Sequence, residues 1–267
     1  MAQEFVKVDY TKSVRQVYTD FIVEALRITG DLAALSYLDR EEEEDSEGGW
    51  PSWVSRWNKP GESWVLWTEQ NSWSASRRPV GISDFELAKK GVLEIGGVGF
   101  DTVDRVSEGK LMNMTGDYTD DESFREAFLK IYRRLGSDDM TSMTEDDTAK
   151  ANACLQHLLL FAQGSFMDAG KAKAQVRDHF RVVWSFSWDR KLFLTSTGKL
   201  GLGPRSMKDE DAVVVLDGGK LPYVLRKSAT EEEWVFVGDC VMEGVMNGEV
   251  YDRVGEDGVE ERLFRLV

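Results

Sequence analysis

Residues 190–250 constrain the fold more tightly than any other stretch of this chain. Four short apolar runs, at 192–194, 212–216, 223–225 and 234–237, each have about the length of a strand. The gaps between them carry turn chemistry, including Thr197-Gly198, Asp217-Gly218-Gly219 and Asn247-Gly248. A β-module is therefore predicted over 190–267. Side-chain alternation would put Asp239, Val241 and Glu243 on one face and Cys240 and Met242 on the other, until Gly244 breaks the run.

The preceding residues read differently. Val14, Val17, Tyr18, Phe21, Ile22 and Ala25 recur with helical spacing, which predicts an amphipathic helix from about Lys12 to Thr29, stopped at Gly30. Residues 39–47 hold seven carboxylates and one Arg, a run that repels itself and reads as a solvated loop. Six of the nine Trp then fall between Trp50 and Trp73. Residues 92–106 predict a strand, a glycine turn and an amphipathic segment. Gly97-x-Gly99 lacks the third glycine and the βαβ context of a dinucleotide fingerprint. Three more amphipathic helices are predicted, with apolar faces at 124–135, 151–162 and 176–184.

The expected fold is thus a single α+β domain over 1–267. It comprises an N-terminal helix (1–38), an acidic loop (39–49), a Trp-rich segment with helices (50–189) and the β-module (190–267). In this reading a C-terminal antiparallel sheet or partly closed barrel is packed with about four to five helices, and the Trp-rich segment covers it.

Composition excludes several function classes. A formal charge of −15 repels nucleic acid phosphates and gives no steering towards anionic membranes. No apolar run is long enough to span a bilayer, and the N-terminus lacks a secretory core, so no membrane insertion and a cytoplasmic setting are expected. Two Cys, Cys154 and Cys240, argue against a disulfide framework, and the two His, His157 and His179, have no metal-ligand spacing. No metal and no cofactor are expected.

The module also carries a pattern. It runs R-x-L-F-x-T-x-x-G-x-L-G-L-G-P, then V-x-V-L-x-G-G-x-x-P-Y-V-L-R, then V-G-D-C-V-M-E-G-V-M-N-G-E. This resembles the C-terminal region of fungal heterokaryon-incompatibility (HET) domain proteins. Gly238, Cys240, Gly244, Met246, Gly248 and Glu249 match, whereas Val241, Glu243 and Asn247 stand where that family has Tyr, His and Asp. Pro51-Ser52-Trp53-Val54 and Trp57 match a further motif, with Arg56 in place of an acid. The helix near Val17-Tyr18 is similar to one that follows the HET domain. The resemblance thus implies an accessory region whose first residues lie where that domain would end.

Two functions compete, ahead of a third, a hydrolase or isomerase using His179 with Asp239 or Glu243. In the first, an aromatic-lined pocket cyclises a small apolar terpenoid or polyketide without a cofactor, by holding it in its reactive conformation, as fungal Diels–Alder cyclases do. Its candidate catalytic residues are Glu243, Asp239 and His179, as carboxyl donors or a base. Its candidate substrate contacts are Trp64, Trp67, Trp73, Trp184, Trp188 and Tyr223. In the second, the chain is a non-catalytic interaction module derived from incompatibility proteins. The pocket reading expects a closed concavity, and the interaction reading an exposed aromatic surface.

Overall fold

The computed structural model describes residues 9–38, 49–58, 73–108, 129, 189–230, 232–242 and 244–267. Helix α1 spans Val14–Thr29. Ser13 and Gln16 form a reciprocal capping box at its start, and Gly30, in the left-handed conformation with φ 68°, ends it. A 3-10 helix, Ala33–Tyr37, follows, and the short helix α2 covers Phe85–Lys89. The strands are β1 (Leu93–Val106), β2 (Arg190–Thr195), β3 (Leu200–Pro204), β4 (Ala212–Leu216), β5 (Tyr223–Lys227), β6 (Glu233–Asp239), β7 (Val241–Met242) and β8 (Glu260–Leu266).

The eight strands form one sheet in the order β4-β5-β6-β8-β1-β2-β3-β7, and β4 also pairs with β1. That extra pairing closes β1, β4, β5, β6 and β8 into a five-stranded ring. Closure removes the free edges that an open sheet would leave. Strand β1 makes it possible because it is long. Residues 93–99 pair with β8, residues 97–102 with β4, and residues 103–106 with β2, which leads away into the lateral β2-β3-β7 extension. The seam between β6 and β8 is the only parallel pairing among these strands and covers two residue pairs, Glu233↔Arg265 and Trp234↔Leu266.

Side-chain alternation feeds two cores. Val214, Leu216, Leu225, Phe236, Ile95 and Phe264 point to one, to which all five ring strands contribute. Ile22 and Leu26 of α1, Leu35 of the 3-10 helix and Trp53 complete it. Val213, Val215, Val224 and Val237 point to the other, shared with Phe193 of β2 and with Val241 and Met242 of β7. Strand β4 is therefore buried on both faces, which explains why it reads AVVVL rather than alternating with polar residues.

Residues 50–54 are woven into the ring. The Ser52 N–H donates to the Val267 carbonyl at 2.8 Å, and its Oγ accepts the Phe236 N–H at 2.8 Å. The Trp53 indole N–H reaches the Gly91 carbonyl at 3.2 Å. Trp50 donates to the Val54 carbonyl and lies beneath the Arg56 guanidinium, 5.1 Å from the ring centroid.

Two expectations need correction. The predicted antiparallel sheet packed with four to five helices is overturned. Among the described residues the architecture is mostly an eight-stranded mixed sheet with two α-helices. The helices expected at 124–135, 151–162 and 176–184 lie outside the described residues, Leu129 excepted. Second, residues 92–106 contain no glycine turn: β1 runs unbroken through them. Its glycines answer to close approach instead. A Cβ on Gly97 would sit 2.6 Å from the Val215 carbonyl oxygen, and one on Gly99 would sit 2.7 Å from Arg262 Nη2. The helix prediction holds for α1, with its buried stripe shifted to Ile22, Val23, Ala25 and Leu26. Val14 is exposed, and the exposed Phe21 stacks edge-on against Trp57 at 5.3 Å.

Candidate functional site

Where five ring strands present their ends together, a barrel has a mouth. Here that mouth is a cleft of about 840 Å3. Its wall takes residues from every ring strand: Gly99 to Thr102 of β1, Ala212 of β4, Arg226 and Lys227 of β5, Trp234 of β6, and Glu260 and Arg262 of β8. The β2–β3 turn adds Ser196 and Thr197, and the loops before β4 and β8 add Lys208 to Asp211 and Asp257.

The carboxylates of the mouth divide into tied and untied groups. Asp101 Oδ1 accepts from Ser196 Oγ and from the Thr102 N–H, both at 2.9 Å, and its other oxygen accepts from Thr197 Oγ1. This pins the β2–β3 turn to β1. Asp211 is buried and is gripped by Arg226 through Nε at 2.8 Å and Nη2 at 2.9 Å, with the Lys208 N–H at 2.8 Å as a third donor. Burial pushes the Asp211 carboxyl above the usual range, against the opposing pull of Arg226 and the Lys208 amide. Asp209, Glu210, Asp257 and Glu260 make no ion pair among the described residues.

Arg262 differs from the other cations of the mouth. Its guanidinium lies 5.0 Å from the Trp234 ring centroid and 4.8 Å from that of Phe264, and those two rings meet edge to face at 5.7 Å. Strand alternation sets this up: Glu260, Arg262 and Phe264 project from one face of β8. Gly99 on the neighbouring strand leaves the space that the guanidinium occupies. Burial lowers the Arg262 pKa from its usual value, with Glu260 pulling the other way.

The residues predicted from sequence do not gather here. Asp239 is buried in an ion pair with Arg190. Arg190 Nη2 donates to Asp239 Oδ1 at 2.6 Å and Nη1 to the Asp239 carbonyl at 2.8 Å. Asp239 Oδ2 is also buried and has no hydrogen-bond partner among the described residues. The predicted alternation through 243 stops earlier than expected, because the strand breaks at Cys240, whose N–H turns to the Pro222 carbonyl at 3.0 Å. Tyr223 is 1% exposed in the ring core, 5.5 Å from Phe236. Trp73 packs, partly buried, against the second core. Glu243, His179, Trp64, Trp67, Trp184 and Trp188 lie outside the described residues.

Cys240 is fully buried, and burial pushes its thiol up, with the Asp239 charge adding to the shift. A thiol held protonated is a poor nucleophile. Iodoacetamide at pH 8 should therefore label the Cys240 peptide in denaturant and leave it unmodified in the native protein, as read by peptide mass mapping. Rapid labelling of that peptide in native buffer would show an accessible thiolate instead.

A ring of five strands with a lateral three-stranded arm defines a small β-barrel module, and comparison with known proteins agrees. The Het-6 beta-barrel domain model matches residues 118–259, just over half of the chain, and the chain belongs to that family. A curated relative, heterokaryon incompatibility protein 6, OR allele, of Neurospora crassa, is 34% identical over 65 residues. That match covers 24% of this chain and 10% of the relative, so the chain spans a small part of that protein's length. No solved structure matches. The relation to fungal heterokaryon-incompatibility proteins inferred from the 190–250 pattern is thereby shown. Among the described residues no helix is long and apolar enough to cross a membrane.

Proposed function

We propose that this chain is a recognition module of the heterokaryon-incompatibility type, which engages its ligand at the barrel mouth without catalysing a reaction. The observation that carries this is the character of the mouth. It opens to solvent, all five ring strands build it, and both charge signs line it. Such a surface suits selective docking. Cofactor-free cyclisation of an apolar terpenoid or polyketide calls for an enclosed apolar cavity. The buried apolar side chains of β4, β5 and β6 are packed into the two cores. Asp239, one of its expected acids, is engaged by Arg190.

The test is deletion of the gene in its source fungus, scored in two ways. Pairings with wild-type strains report fusion and incompatibility, and mass spectrometry with chromatography reports small molecules. Recognition predicts altered pairing with an unchanged metabolite profile. Loss of one metabolite with gain of an isomer of identical mass, and normal pairing, would overturn it in favour of the cyclase.

A further inference from the structure

We infer that Arg262 is a ligand anchor at the barrel mouth, taking the carboxylate of a zwitterionic peptide end while the acidic rim takes a neighbouring cation. The inference rests on the recognition reading above and names the chemistry of its ligand.

The argument begins with what Arg262 does not do. A guanidinium carries five N–H donors in a planar fork, and proteins usually satisfy them with carboxylates or carbonyls. Every other Arg that lines this cleft is committed: Arg226 is bound by Asp211 and by the Ser206 carbonyl. Arg262 has no hydrogen bond or ion pair to any described residue, although Glu260 is near in sequence. It rests instead on the faces of Trp234 and Phe264, which hold the fork in one plane without using its N–H groups. An exposed cation that rests on aromatic rings, and whose donors no described residue uses, is a site that an anion can reach and satisfy. The lowered pKa of Arg262 is the cost of that position seen from the protein's side.

The rim then limits which anion fits. Asp257 and Glu260 line the mouth beside Arg262, and Asp209 and Glu210 lie on a further wall. These carboxylates repel a polyanion such as a nucleic acid. A single carboxylate can still reach the fork when its own molecule brings a positive group for the rim. The C-terminus of a peptide with a basic residue before it has that pattern, and free amino acids share it on a smaller scale.

The test uses the full chain and calorimetric titration. The probes are an octapeptide ending in lysyl-leucine with a free carboxyl, the same peptide as its C-terminal amide, and free leucine. The expected result is binding of the free-acid peptide that weakens at least about tenfold on amidation and again in Arg262→Met. Arg262→Lys keeps the charge but loses the fork, so it should restore only part of the affinity. Gly99→Ala gives an independent check, because its Cβ would meet Arg262 Nη2 at 2.7 Å and push the guanidinium off the rings. It should weaken binding with little change in unfolding midpoint.

Equal affinity for acid and amide, no loss in Arg262→Met, or no binding by any probe would overturn the assignment. Arg262-dependent binding of free leucine as tight as that of the peptide would keep the carboxylate site and overturn the peptide as its source. A fungal strain carrying Arg262→Met that pairs like wild type, when the deletion strain does not, would sink the anchor while leaving the recognition reading intact.

Discussion

Asp239→Ala should destabilise the fold by about 3–5 kcal/mol, the usual cost of removing one partner from a buried ion pair. Arg190 and Asp239 are 7% and 3% exposed at their side chains, so water cannot take over from the missing carboxylate. The pair joins the start of β2 to the end of β6 and so ties the lateral extension to the ring. Asp239→Asn keeps one acceptor for Arg190 Nη2 and should cost less than Ala. Joint replacement by Arg190→Met and Asp239→Leu, of similar apolar bulk, should recover much of the loss. Urea denaturation of the three variants against wild type measures this directly. An unchanged midpoint in Asp239→Ala would show that the pair contributes nothing, and would leave Asp239 available for a chemical role.

Trp53→Ala should be as damaging, at about 3–5 kcal/mol. Trp53 is fully buried among Ile22, Leu26, Phe236 and Phe264, and its indole N–H is used by the Gly91 carbonyl. The neighbouring Ser52 bridges Phe236 of β6 and Val267, next to the two-pair β6–β8 seam of the ring. Removing the indole therefore opens a cavity and loosens the closure together. Hydrogen exchange should speed up in β6 and β8 as well as in α1. A variant with wild-type stability would mean that this side chain fills no core volume. Trp53→Phe retains much of the apolar area and should fall between the two.

Much of the ring was legible in the local chemistry. The apolar runs at 212–216 and 223–225 became β4 and β5, and the turns at Gly198, Gly218 and Gly248 adopt the positive φ that glycine supplies. Gly30 stops α1 for the same reason. The role of β1 was not legible, because Gly96-Gly97-x-Gly99 reads as a turn until one knows what presses on it. The backbone of Val215 and the side chain of Arg262 come from residues more than a hundred positions away. Arg262 itself went unremarked for a related reason. Its alternation with Phe264 marks a strand, but only the parallel neighbour β6 supplies Trp234, and no sequence spacing encodes that partner. Asp239 stood out in the sequence as a candidate acid, but no local spacing points to its partner Arg190, 49 positions away.

The central place of β1 has a consequence for synthesis. Its partners β2, β4 and β8 all lie more than eighty residues further along the chain. A ribosome adding about 5–20 residues per second would leave β1 without even the first of those partners, β2, for roughly 4–17 s. An extended strand left bare that long invites pairing with another nascent chain. Three glycines within four residues lower its intrinsic taste for sheet, so the strand stays indifferent until its own partners arrive. The glycines that admit a guanidinium and a carbonyl in the finished barrel thus also protect the chain while it is being made.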